Sequence, residues 1–277
     1  MLHPVGMSRS KVRYAGLAAL LLGSSLAGCG EKVRESDWPI ESTEQEWKGT
    51  PIITVDGEPL VRCGTPVFPV SAMSGGVDGL VDRAEVAAGL ERHVTSSGIY
   101  APRALRGKDI EDAEWFVLGR SGDNIAVATG HWDRNGPGKD GQILGMDNEN
   151  GDGWRFRRSS DPCRLTPVLP PDLMWAQVTA DPQALSPSST SIPVWLTEYS
   201  CTSARDPDPY LQDPIVVEDE RAVTVYWTST PPEGGQDCPG NPRVKRVLEL
   251  REPLGDRVLL DGSRWPPRIA TRPIRYY

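Results

Sequence analysis

The chain has three histidines, and beyond His3 at its N-terminal end only His131 has a chemical neighbour beside it in sequence. The stretch Gly130-His131-Trp132-Asp133 sets imidazole, indole and carboxylate side by side. Successive residues of a strand point to opposite faces, so His131 and Asp133, two apart, share one. That is the arrangement of a general base and the carboxylate that orients it, and it points to hydrolysis. His93 follows Val86 by seven residues along a helical face and is expected to pack there. Ser121 lies in Gly119-Arg120-Ser121-Gly122-Asp123, which lacks the spacing of a nucleophile elbow and fits a turn. Asn148, Asn150 and Asp152 alternate before Gly153, as at the start of an EF-hand loop, but Ser159 stands where that loop needs its bidentate glutamate. With Asp133, Asp140 and Asp147 nearby, an irregular calcium site is one expectation and a solvated turn is the other. Trp132 and Trp154, in loop contexts, are candidates for stacking on a sugar or peptide. Neither a P-loop nor a glycine fingerprint between strand and helix is present, and no cofactor other than calcium is expected.

The fifth cysteine has a different chemistry. Arg9, Lys11 and Arg13 precede an apolar run from Tyr14 to Leu22, with no acidic residue before Cys29. A charged stretch followed by an apolar segment well short of the roughly 20 residues of a membrane span is the pattern of a signal peptide, starting at Met1 or Met7. After the run comes Leu26-Ala27-Gly28-Cys29, which resembles the lipobox of bacterial lipoproteins. The resemblance implies that residues 1–28 are a signal peptide removed before Cys29. It also implies that the Cys29 sulfur carries a diacylglycerol and that acyl chains such as palmitate tether the protein to the membrane. Two or more chains hold stably where one holds marginally. The segment from Cys238 to Gly262, with its prolines and glycines, resembles C-terminal segments of small exported actinobacterial proteins, which implies lineage and no reaction.

With Cys29 assigned to lipid, Cys63, Cys163, Cys201 and Cys238 remain. An even count in an exported chain predicts two disulfides in one of three pairings. Cys201 and Cys238 both lie in the strand-rich C-terminal part, which favours joining them and leaves Cys63 to Cys163. None forms a CxxC pair, so a zinc site or thioredoxin-like redox chemistry is not expected. Loss of the signal peptide removes three cations and leaves 27 against 38 acidic residues, a net charge of −11. So acidic a chain is not expected to bind nucleic acid or anionic headgroups.

These groups need elements to position them. Residues 29–50 are a lipidated cysteine and an acidic tether lacking periodicity. Residues 51–55 read as a first strand ended by the Asp56-Gly57 turn. The best helical pattern covers 78–96, with Asp82 and Glu85 at capping-box spacing, Val86, Leu90 and Val94 on one face, and Gly98 closing the end. Strands at 114–118 and 124–129 flank turn residues Gly119, Ser121, Gly122 and Asp123. From Asp133 to Gly153 the chain reads as loop, and residues 174–178 as a strand. Residues 181–193, rich in Pro and Ser, are the candidate linker between a part at 51–185 and a β-rich part at 186–277. In that second part Val223, Val225 and Trp227 alternate with Thr224 and Tyr226, which predicts one buried face. Further strands are expected at 243–250 and 256–260.

The fold class predicted is α+β, mainly β, with a small antiparallel sandwich or barrel-like sheet and one main helix. The expected function is that of a membrane-anchored lipoprotein on the outer face of the cytoplasmic membrane. It acts there as a noncatalytic binding or structural module for an envelope protein or polymer. An envelope hydrolase using His131 and Asp133, and a calcium-supported surface domain, are the alternatives.

Overall fold

The computed structural model describes residues 49–271 apart from 78, 161 and 162. The signal peptide, Cys29 and nearly all of the tether lie outside them. Strands β1 (Thr54–Val55) and β2 (Glu58–Arg62) are joined by Asp56 and Gly57, whose φ values of 53° and 80° make the two-residue hairpin turn that such residues favour. β2 also pairs antiparallel with β3 (Val67–Pro69), and a 3-10 turn follows at Val70–Ser74, burying Val70, Ala72 and Met73. Helix α1 (Arg83–Ser97) starts later than its apolar pattern predicts because Asp82 caps it, its carboxylate accepting from the Ala84 N–H at 2.8 Å. Gly98 closes it, its N–H donating to Val94 O.

Next come β4 (Trp115–Ser121), β5 (Asn124–Thr129), the short pair β6 (Trp132–Asp133) and β7 (Gly136–Pro137), β8 (Gln142–Asp147) and β9 (Arg155–Ser160). The antiparallel sheet runs β4-β5-β8-β9. Two sequence expectations change here. Gly119 sits within β4, beside a bulge that separates it from Val117, and only Gly122 and Asp123 form the turn. The supposed loop between Asp133 and Gly153 contains β8, where Ile143, Leu144 and Met146 are buried despite the glycines and acids around them. One face of the sheet packs Trp115, Val127, Leu144 and Met146 against Val86 and Leu90 of α1. The other packs Leu118, Ala126, Ala128 and Ile143 against Val61, Phe68 and Met73.

The remaining strands are β10 (Thr166–Pro167), β11 (Met174–Ala180), β12 (Ser191–Glu198), β13 (Ile215–Glu218), β14 (Ala222–Tyr226), β15 (Thr228–Ser229), β16 (Arg243–Glu249), β17 (Val258–Asp261) and β18 (Arg268–Ile269). β10 pairs with β2, and the others form two sheets ordered β15-β11-β12-β16 and β13-β14-β17-β18. Residues 181–190 connect β11 directly to its antiparallel neighbour β12. Ala176, Val178, Ile192, Val194 and Leu196 of one sheet share a core with Val223, Val225 and Leu259 of the other. The sheets also join along the edge of β11 beyond its short pairing with β15. Ala176 N donates to Trp227 O at 2.9 Å, Val178 N to the Asp261 carboxylate, and Ala180 N to Ala270 O at 3.0 Å. A side-chain carboxylate thus replaces one backbone acceptor in the seam.

The single buried face expected for β14 is corrected. Every residue from Ala222 to Tyr226 is buried, with Tyr226 and Trp175 entering the first core while Val223 and Val225 fill the second. β14 and β17 pair in parallel, which alternation within one strand cannot reveal. The fold is α+β and mainly β, built from largely antiparallel sheets including one curled into a half-barrel, with one α-helix among the described residues.

Candidate functional site

The residues singled out by type fall into ordinary structural surroundings. His131 is exposed just before β6, and a Cβ placed on Gly138 would stand 3.3 Å from its Cδ2, so the ring lies against that glycine. Asp133 is exposed too, and its Oδ1 accepts from the Asn135 N–H at 2.8 Å, closing the β6–β7 turn. The carboxylate serves its own hairpin. Trp132, between them, is buried and donates from Nε1 to Thr129 O at 3.1 Å, and Trp154 is buried against the helix. Neither indole is presented for stacking, which corrects the expectation drawn from their loop setting. Asn148 Oδ1 accepts from Gly153 N at 2.9 Å, Asn150 is exposed, and Asp152 pairs with Arg155 at 3.0 Å, so this segment is the turn between β8 and β9. Among the described residues no group of three or more His, Cys, Asp or Glu is placed to hold a metal ion.

His93 packs as its helical position predicts, stacked on Phe156 with ring centroids 3.8 Å apart and Nδ1 3.0 Å from Ser97 Oγ. Burial holds its pKa below the usual imidazole value. Cys63 and Cys163 stand at disulfide distance with Cα atoms 5.7 Å apart, as do Cys201 and Cys238 at 4.8 Å. The first pair ties the end of β2 to the segment before β10, and the second ties the loops that follow β12 and precede β16.

Two further constellations are ones sequence reasoning missed. The first is the seam around Asp261. This fully buried carboxylate accepts from Ser263 N at 3.1 Å, with the Arg268 guanidinium 3.9 Å away. Burial pushes its pKa above the ordinary carboxylate value, against the pull of the Ser263 hydrogen bonds and Arg268. Arg264, nearly buried, donates to Tyr199 Oη at 3.0 Å with its guanidinium over that ring.

The second is a groove of about 470 Å³ across the β4-β5-β8-β9 sheet. Gly119 of β4 pairs with Ala126 of β5, Ala126 with Gly145 of β8, and Gly145 with Arg158 of β9. Three small residues abreast thin the sheet surface, and both β-bulges of this sheet flank that row. The wall approaches closely, for a Cβ on Gly119 would lie 3.1 Å from Val67 O, and one on Gly145 would lie 3.2 Å from Arg158 Cγ. The charged residues lining the groove are Arg120, Arg157 and Arg158, with no Asp or Glu. Arg120 donates to Gly122 O at 2.9 Å and Leu80 O at 3.2 Å, and Arg157 is held by Asp147 and Glu149 just outside. Arg158 is exposed, and its side chain has no ion pair or hydrogen bond among the described residues.

The row that forms the groove is scattered over positions 119, 126, 145 and 158. The one sequence signal was the glycine in each of two strands, and Gly119 instead read as a turn. Comparison of the chain with family models, with curated proteins and with solved structures finds no match in any of the three.

Proposed function

We propose that the chain is a lipid-anchored, noncatalytic binding module on the outer face of the cytoplasmic membrane. In this reading residues 1–28 are removed and Cys29 carries the anchor. Residues 30–50 lift the folded part from the bilayer, and an envelope protein or polymer is its partner. The observation that carries the reading is the cysteine arithmetic. Once Cys29 is set aside, the other four stand as two pairs at bonding distance, which suits an oxidising compartment. Binding is favoured over hydrolysis because Asp133 is engaged by its own turn while a groove lined by arginines lies elsewhere, on the β4-β5-β8-β9 sheet.

The test is metabolic labelling of the producing cell with a tagged palmitate. The full chain is expected to take up label and fractionate with membranes, and Cys29→Ser to do neither. Label retained by the Cys29→Ser variant would overturn the anchor, and with it the address.

A further inference from the structure

We propose that the groove across β4, β5 and β8 binds an organic anion, a phosphate or carboxylate group carried on a neutral body of about sugar size. This names the ligand class of the binding module and rests on that reading. Three observations support it. A depression of about 470 Å³ lies within the range of roughly 300–1,000 Å³ typical of small-molecule sites and exceeds what a bare inorganic ion fills. Every charged residue lining it is an arginine, in a chain whose formal net charge is −8. Of those arginines, Arg120 and Arg157 already have partners, while Arg158 offers an unpaired guanidinium at the end of the small-residue row.

One free guanidinium fits one oxyanion, and its planar fork matches carboxylate and phosphate alike. A polyanion is disfavoured, because Arg120 and Arg157 already have partners and the chain as a whole is negatively charged. The body of the ligand lies over the short floor of Gly119 and Ala126, between the Val67 wall and the Arg158 stem that crosses Gly145. At the β4–β5 turn, Ser121 and Asn124 line the same depression and supply neutral donors and acceptors.

The test is calorimetric titration of the full chain in a non-ionic detergent with glucose 6-phosphate, glucuronate, inorganic phosphate and glucose. Saturable binding of either sugar anion, with Arg158→Gln weakening it by about tenfold or more, is expected. Arg155→Gln, an exposed change on the same strand outside the groove, is expected to leave the affinity unchanged. The proposal is overturned if neither sugar anion saturates, or if glucose or inorganic phosphate binds as tightly. It is overturned equally if both arginine variants lose the same affinity, since the chain would then be responding to overall charge. The anchor test reads lipid and this one reads the groove, so each can fail alone.

Discussion

Gly89 marks the point where α1 meets the sheet with no room for a methyl group. A Cβ there would stand 2.5 Å from Trp154 O and 2.8 Å from Met146 Cε. Alanine gains about 1 kcal/mol of helix propensity over glycine, whereas forcing atoms into a packed interface costs about 1–3 kcal/mol. The obstruction here is backbone, which yields less than a flexible side chain, so the packing penalty wins. Gly89→Ala is expected to lower the melting temperature, measured by circular dichroism, and an unchanged or higher value would show that the helix slides away freely. Asp261 makes a second residue-scale case, with a pH signature. Its native pKa is raised by burial, so the folded chain holds this proton more tightly than the unfolded chain does. The stability this confers is fully present below the ordinary carboxylate range and is lost as pH rises through the raised native value. Asp261→Asn keeps an oxygen for the seam and removes the titration. Relative to the wild type, the variant is therefore expected to gain stability as pH rises above the ordinary carboxylate range, until the raised native value is passed. A difference in melting temperature that stays constant with pH would show that Arg264 and Arg268 already neutralise the burial.

Asp82 illustrates how elements are written locally. Its carboxylate satisfies one of the first N–H groups of α1, and Asp82→Ala is expected to cost about 1 kcal/mol, read as a shift in denaturant midpoint at unchanged slope. A midpoint shift near zero would mean that packing of Val86 and Leu90 alone fixes where the helix starts. Features of this kind were legible in the sequence. The Asp56-Gly57 turn, the helix with its cap and closing glycine, the β4–β5 hairpin and the β-branched strands of the last third each depend on neighbours within a few residues. Features that depend on what lies across the sheet were not legible. Gly119 resembles a turn residue until its partner Ala126 and the overlying Val67 carbonyl are known. The alternation in β14 predicts one apolar face, and the second is buried only because Trp175 and the first core come to meet Tyr226. Trp132 and Trp154 read as loop residues in the sequence, yet Trp132 starts β6 and both rings are buried in the core. The groove is the extreme case, since its floor needs three strand registers to be right at once.

For the whole molecule, the covalent ties decide where this fold can persist. Cys63 and Cys163 are 100 residues apart in sequence, Cys201 and Cys238 only 37. Loop-closure entropy assigns about 5 kcal/mol to the longer tie and about 4 kcal/mol to the shorter. Together that rivals the roughly 5–15 kcal/mol by which a native domain is stable at all. Surroundings widen the gap between the two, because Cys63 is buried in the first core while Cys238 is exposed in a loop. The paired replacement Cys63→Ala with Cys163→Ala is therefore expected to lower the melting temperature more than Cys201→Ala with Cys238→Ala. Calorimetry of the two double variants beside the parent, with and without reductant, reads the difference directly. Reductant is expected to destabilise the parent and to leave a chain lacking all four cysteines unaffected. If the order of the two double variants were reversed, loop closure would not be the source of the stabilisation. If the four-cysteine variant melted with the parent, the ties would contribute nothing. The support that paired cysteines lend to an address outside the cytoplasm would then fall with them, leaving the lipobox to carry it alone.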